Sequence, residues 1–225
     1  MLSKNELDFF AKNTVFWDKL SSQEQKEIES CAFLATYKKG SKIYGSHKEC
    51  LGLVLIQTGQ LRAFIDSADG KEISLYRLLT YDTCILSASC MMKNINFEIN
   101  IEAEKDTTVF VLPTKCYNKL NEINSAVKNF SLALISTRFS EVMWVFEQYV
   151  FGSAAKRLAC FLIEQSNIEN SDTLNMTHEF IANDIGTARE VITRLLKHFS
   201  NDGIVSGTRG IIKIENRVEL QKLCN

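Results

Sequence analysis

The spacing of apolar positions changes twice along the chain, and each change marks a different kind of element. From about Ala35 to Pro113, short apolar runs are separated by turn residues: Gly40, Gly45, Gly52, Gly59 and Asp69-Gly70. Within that segment Leu61, Ala63 and Ile65, then Ile73 and Leu75, alternate with polar neighbours. A period of two between glycine turns predicts antiparallel strands closed into a barrel or sandwich. Residues 5–12 and 23–32, ahead of it, have helical spacing, and Ser22 with Gln25 three residues on predicts a capping box for the second helix. Phe9, Phe10, Phe16, Trp17 and Leu20 add apolar weight for a core.

After Pro113 the period becomes helical, and it is sustained longest from Ser125 to Phe151. Leu132, Ile135, Phe139, Val142, Phe146 and Tyr149 are separated by three and four residues in turn, the spacing of a coiled-coil seam. At about 1.5 Å per residue this helix is a rod of about 40 Å. Leu134, Met143 and Val145 lie off the seam and are expected to pack on the β unit. Gly152-Ser153 interrupts the pattern before a further helix from Ala154 to Gln165. The chain thus reads as an α+β protein in three parts: 1–124, mainly antiparallel β; 125–151, the long helix; and 152–225.

The third part carries the most specific pattern. Thr177 can cap a short helix with Phe180, Ile181 and Ile185 apolar, and Gly186 can supply the positive φ of a tight turn. Thr187 is then placed to cap a second helix, with Val191, Leu195 and Leu196 inward and Arg189, Glu190, Thr193, Arg194 and Lys197 outward. This is a helix-turn-helix, whose second helix enters a DNA major groove by its N-terminal residues. Arg pairs two-pronged with guanine O6/N7, and Glu accepts from cytosine N4. Gly207 and Gly210 suit a following hairpin that carries Arg209 and Lys213 toward phosphates. A solvated helix face with ordinary exposed charges is the bland reading of the same residues.

Charge sharpens this picture. The chain has 26 Lys and Arg against 27 Asp and Glu, a net −1, which argues against an indiscriminate electrostatic binder. Between Gly186 and Lys213, five Lys or Arg face two acids, a local +3 that suits a small reading surface. No apolar run approaches the ~18 residues of a membrane span, and the first ten residues lack the basic and apolar regions of a signal peptide, so a cytoplasmic protein is expected. Seven cysteines without a CxxC pair argue against a disulfide framework or zinc ribbon, and reduced thiols are the expectation.

Thr177-x-x-x-x-Ala182-x-x-Ile185-Gly186-Thr187-x-Arg189-Glu190-x-x-x-Arg194-Leu195-Leu196-Lys197, with Asp202-Gly203-Ile204-Val205 and Arg209-Gly210-x-Ile212 after it, resembles the DNA-binding domain of the CRP/FNR family, the cyclic AMP receptor protein and its relatives. The stretch YKKGSKIYGSHKECLGLVLIQTGQLRAFI resembles the family's N-terminal β-roll, through Lys39-Gly40-x-x-Ile43 and Gly59-x-Leu61-Arg62. The resemblance implies an N-terminal antiparallel β-roll, a long dimerisation helix and a C-terminal winged helix-turn-helix. It further implies a homodimer through Leu132, Ile135, Phe139, Val142, Phe146 and Tyr149, and DNA contacts from Thr177, Thr187, Arg189, Glu190, Thr193, Arg194, Lys197 and Arg209. The expected partners are a palindromic operator in double-stranded DNA, a second copy of the chain and, for an activator, RNA polymerase, with no membrane.

The effector departs from the family's best-known branch. Where cyclic-nucleotide binders carry a Gly-Glu pair and an Arg-Ser pair, this chain has Ile85-Leu86 and Phe97-Glu98. A carboxylate stands beside the place of the phosphate-binding cation, so an effector other than cyclic AMP is expected. The clustered N-terminal cysteines of the iron–sulfur branch are missing, since Cys31 alone lies in the first 49 residues. The effector region instead reads Cys84-Ile-Leu-Ser-Ala-Ser-Cys90-Met91-Met92. Buried packing, a thiol redox or soft-metal site, and a haem or other apolar ligand, with His47 as a further ligand, are all open for it. Six residues apart, Cys84 and Cys90 are too far for a direct disulfide in a strand, so each would need a partner such as Cys31 or Met91. No cofactor and no metal site is assigned. No nucleophile–base–acid set is present, so no enzyme is expected; an interaction module that lost DNA reading, or a haem or thiol sensor without transcriptional output, are the other readings.

Overall fold

The computed structural model describes residues 2–44, 51–67, 70–85 and 99–224. They form two compact units, one of Met1–Phe64 with Leu75–Val142 and one of Ile65–Ser74 with Met143–Asn225.

The first unit opens with helices α1 (Lys4–Asn13) and α2 (Ser22–Cys31). Each starts at a reciprocal capping box, Ser3 with Glu6 and Ser21 with Glu24. The second box therefore sits one residue earlier than the Ser22/Gln25 pair suggested. In both, the serine oxygen accepts a backbone N–H while the glutamate accepts the N–H of the cap, which holds both carboxyls below the usual range.

Among the described residues eight strands follow: β1 (Phe33–Tyr37), β2 (Lys42–Tyr44), β3 (Leu53–Thr58), β4 (Leu61–Asp66), β5 (Glu72–Leu78), β6 (Thr83–Ile85), β7 (Asn100–Ala103) and β8 (Thr107–Leu112). Among the described residues they make two four-stranded sheets, ordered β1-β8-β3-β6 and β2-β7-β4-β5, and the registered pairs are antiparallel. Two apolar clusters lie on opposite faces of the first sheet. Leu53, Leu55, Phe110 and Leu112 join Phe10, Phe16, Ile28, Tyr117 and Leu120 under the helices. Val54, Ile56, Val109 and Val111 join Leu61, Ala63, Leu78, Cys84 and Ile101 between the strands. This double burial explains why LVLI and VFVL are unbroken apolar runs. The alternation expected in β4 also gives way, because Arg62 is 4% exposed and stacks 4.2 Å over the Phe64 ring. Gly59 turns β3 into β4 with φ +98°, and a Cβ there would stand 2.6 Å from the Asp106 carbonyl oxygen.

Helix α3 (Thr114–Ile123) leads into the long α4 (Ser125–Phe151). Leu132, Phe139 and Phe146, spaced by seven, are 55%, 66% and 57% exposed, while Ile135, Val142 and Tyr149 are half-buried. Met143, expected to pack inward, is exposed, as are Trp144, Val150 and Phe151. The apolar stripe left open thus runs through Leu132, Phe139, Met143, Phe146 and Val150.

The second unit is built around α5 (Ala154–Glu169), which Ser153 caps by accepting from the Lys156 N–H at 3.1 Å. After strand β9 (Thr173–Asn175) come α6 (His178–Asp184) and α7 (Arg189–Asn201), then β10 (Val205–Thr208), β11 (Ile211–Ile214) and α8 (Arg217–Cys224). The sheet order is β10-β11-β9, and one core joins Leu158, Leu162, Leu174, Ile181, Ile192, Leu196, Phe199, Ile212 and Leu220. Cys160 and Cys224 are bonded as a disulfide between α5 and α8, which corrects the expectation of reduced thiols throughout. Their Cα atoms are 4.8 Å apart because the two helices pack side by side; a separation of 64 residues gives no hint of that.

Candidate nucleic-acid interface

Helices α6 and α7 meet as the spacing predicts, with two corrections of detail. Thr177 caps α6, its hydroxyl accepting from the Phe180 N–H at 3.1 Å. The turn passes through Gly186 at φ +59°, where a Cβ would lie 2.6 Å from the Tyr149 hydroxyl and 2.8 Å from Ile73. The N-cap of α7 is Ala188, without a side-chain cap, and not Thr187, whose N–H is already bonded to the Ala182 carbonyl at 2.9 Å. The buried face of α7 is Ile192, Leu196 and Phe199; Val191 and Leu195 are only half-buried. A helix aligned on Ile192 turns Arg189, Glu190, Thr193, Arg194 and Lys197 outward, and all five are exposed.

Strands β10 and β11 pair from Val205↔Ile214 to Thr208↔Ile211, so Arg209-Gly210 is a two-residue turn at the hairpin tip. An open groove runs between α6, α7 and this hairpin. Thr177, Arg189, Thr193, Lys197 and Arg209 line it, whereas Thr187, Glu190 and Arg194 do not. The groove also holds His178, which the sequence reading passed over although it lies beside the Thr177 cap; its Nδ1 is 2.9 Å from Thr193 Oγ1.

Charge is sorted across this unit. Lys213, expected as a phosphate contact, is paired with Glu215 at 3.0 Å; Lys222 pairs with Glu219 at 2.6 Å and Arg217 with Asp172 at 2.7 Å. Among the described residues Arg189, Arg194, Lys197 and Arg209 form no such pair. Between Thr177 and Cys224, among the described residues, the Lys and Arg side chains outside such pairs are those of the reading helix and the wing tip. Full positive charge at a groove wall is what a phosphate backbone needs.

In the first unit Cys84 lies on β6, 1% exposed, among the inner apolar cluster. Its polar neighbour is Tyr76: burial pushes that phenol well above its ordinary value, and Cys84 beside it adds to the effect. Arg138 of α4 lies 4.7 Å over the Tyr76 ring and donates to the Thr83 carbonyl at 3.3 Å and to Glu141 at 2.6 Å. Cys31 is not the partner of Cys84. It belongs to the outer cluster and shares a hydrogen bond with Cys116, and burial raises both of those thiols. Cys90, Met91, Phe97 and Glu98 lie outside the described residues, as does His47.

A β-roll unit, a long helix with an open apolar stripe and a winged helix-turn-helix with unpaired cations define a class of DNA-binding regulators. Residues 156–223 match the family of the Crp-like helix-turn-helix domain. A protein from Eubacterium rectale, described as a transcriptional regulator of the crp/fnr family, is 42% identical over 95% of this chain and 99% of its own, with a TM-score of 0.90. FixK2 from Bradyrhizobium japonicum, at 22% identity over 86% of this chain and 98% of its own, has a TM-score of 0.69. A CooA mutant from Carboxydothermus hydrogenoformans, at 19% over 100% and 98%, has a TM-score of 0.66; these last two share the fold. No curated protein matches the chain. The chain belongs to the CRP/FNR family of transcriptional regulators.

Proposed function

We propose that the protein is a homodimeric, sequence-specific DNA-binding regulator whose β-roll responds to an effector other than cyclic AMP. The observation that carries this reading is the sorting of charge: Arg189, Lys197 and Arg209 line one groove without protein partners, while Lys213, Arg217 and Lys222 are paired with carboxylates. Arg189, Glu190 and Arg194, exposed at the start of α7, are the base-reading set; Thr177, Thr187, Thr193, Lys197 and Arg209 hold the backbone and the register. The target is a palindromic operator read by two copies, with RNA polymerase as the further partner of an activator. The contact of Arg138 with Tyr76 and Thr83 supports a route from the effector strand to α4, because an effector that shifts β6 would move the helix with it.

The test is a pair of substitutions. Arg189→Ala should cost about 1 to 3 kcal/mol on the operator and relax the preference at one base pair, whereas Arg209→Ala should weaken all sequences alike. Competition binding on operator variants distinguishes these outcomes. Unchanged discrimination in Arg189→Ala would remove that residue from the reading set.

A further inference from the structure

In the first unit the side-chain contacts between α2 and α3 set the register of the two helices. Glu24, in the first turn of α2, accepts from Nδ2 of Asn124, at the end of α3, at 3.2 Å. Glu27, one turn on, accepts from Lys119 Nζ at 2.7 and 2.8 Å. Partner numbers fall along α3 as they rise along α2, so the helices run antiparallel. One further turn on each brings Cys31, the last residue of α2, opposite Cys116, in the first turn of α3, and the two thiols share a hydrogen bond. Cys116 is 7% exposed in the outer apolar cluster, while Cys31 at the helix end is half-buried.

We propose that Cys31 and Cys116 are a redox-modification site, which a small disulfide such as oxidised glutathione converts reversibly into a covalent bridge between α2 and α3. Cys31, the more accessible thiol, reacts first. It gives its proton to solvent and its sulfur attacks the small disulfide, whose S–S bond breaks and whose other half leaves and takes up a proton. Cys116 then loses its proton and attacks Cys31 Sγ, and the second half of the small disulfide leaves as a thiol. The two cysteines together lose two electrons and two protons, and the oxidant ends as two thiols.

A disulfide needs its two sulfurs within reach of each other, and the antiparallel register of α2 and α3 supplies that where the spacing of the sequence does not. Burial raises both thiols, and their hydrogen bond then lowers Cys31 and raises Cys116, which leaves Cys31 the better supplied with thiolate. Both stay protonated near neutral pH, so the exchange is slow and the site registers sustained oxidising conditions. The pair is separate from Cys84, in the inner cluster, and from the Cys160–Cys224 bond of the winged unit. Closing the bridge fastens α2 to the helix that runs on into α4.

The test needs no DNA, so it stands independently of the reading surface. The full-length protein is equilibrated without denaturant in buffers of rising oxidised-to-reduced glutathione ratio, alkylated with N-ethylmaleimide and digested with trypsin without reduction. Trypsin releases Cys31 in the peptide 27–38 and Cys116 in the peptide 116–119. Mass spectrometry should find these two peptides joined, two hydrogens lighter than their sum, in most of the protein at the oxidised end and in almost none after its return to the reduced end. Cys116→Ala removes the second thiol and should leave Cys31 as a lasting mixed disulfide with glutathione. Cys31→Ser should leave Cys116 alkylated and free of glutathione. If both wild-type peptides stay alkylated in every buffer, the cysteines are packing residues and the proposal is overturned. A wild-type protein that holds glutathione on Cys31 without passing on to the bridge, or a bridge that the reduced buffer leaves closed, overturns it equally.

Discussion

Arg77 and Glu104 face each other through two hydrogen bonds, Nε to Oε2 at 2.9 Å and Nη2 to Oε1 at 3.1 Å, with side chains only 4% and 10% exposed. Gln60 donates a third bond to the same carboxylate at 2.6 Å. A charge buried this far is tolerable only while its partner is present. Glu104→Leu should therefore destabilise the first unit by about 3 to 5 kcal/mol, whereas the double variant Arg77→Met with Glu104→Leu should lose far less. Urea unfolding measures both; a double-variant loss equal to the sum of the single losses would contradict the argument. Thiols follow the same logic of burial. Burial raises Cys31 and Cys116, which share a hydrogen bond, so both stay protonated and are poor nucleophiles at neutral pH.

Among elements, α8 is fastened to α5 at both ends. At its start Arg217 donates to Asp172 at 2.7 Å and to Ser166 at 2.6 Å, and also bonds Asn167; at its end Cys224 is joined to Cys160. Between the two, Leu220 is fully buried. A crosslink closing a loop of 64 residues restricts the unfolded chain, and one of that length stabilises by about 2 to 4 kcal/mol. Cys224→Ser should lower the melting temperature of the winged unit by at least about 10 °C, and a thiol reductant should do the same to wild type. Scanning calorimetry with and without reductant reads this. If reductant left the wild-type transition in place, the cysteines would be thiols in solution.

For the whole molecule, the apolar stripe of α4 has to meet something. Leu132, Phe139 and Phe146 repeat at seven residues and are all more than half exposed, the arrangement of knobs awaiting a partner helix. In the proposed homodimer a second copy supplies an identical stripe about a two-fold axis, and the two copies read the two halves of the operator. Phe139→Glu places a charge at the centre of that stripe and should leave monomers with operator affinity strongly reduced. Sedimentation equilibrium at micromolar concentration decides it. Wild type sedimenting as a monomer would show that the stripe serves another purpose.

Local chemistry determined the outline of the helix-turn-helix. Thr177 caps and Gly186 turns through neighbours within a few residues, and the outward row from Arg189 to Lys197 follows the helical period, whereas the cap of α7 and the burial of Ile192 and Phe199 in place of Val191 and Leu195 did not follow from spacing. The long helix and the strand-rich first unit were legible for the same reason, since period and turn residues are local properties. What depends on distant segments was not. Arg62 reads as an outward strand residue, yet β4 is covered on both faces, and that burial comes from strands and side chains far away in sequence. Lys213 and Arg209 are alike as letters; the hairpin register sets one beside Glu215 and the other at the tip. Cys160 and Cys224 become partners because α5 and α8 pack together. In each case the deciding quantity is a distance across the fold, which residue spacing cannot carry.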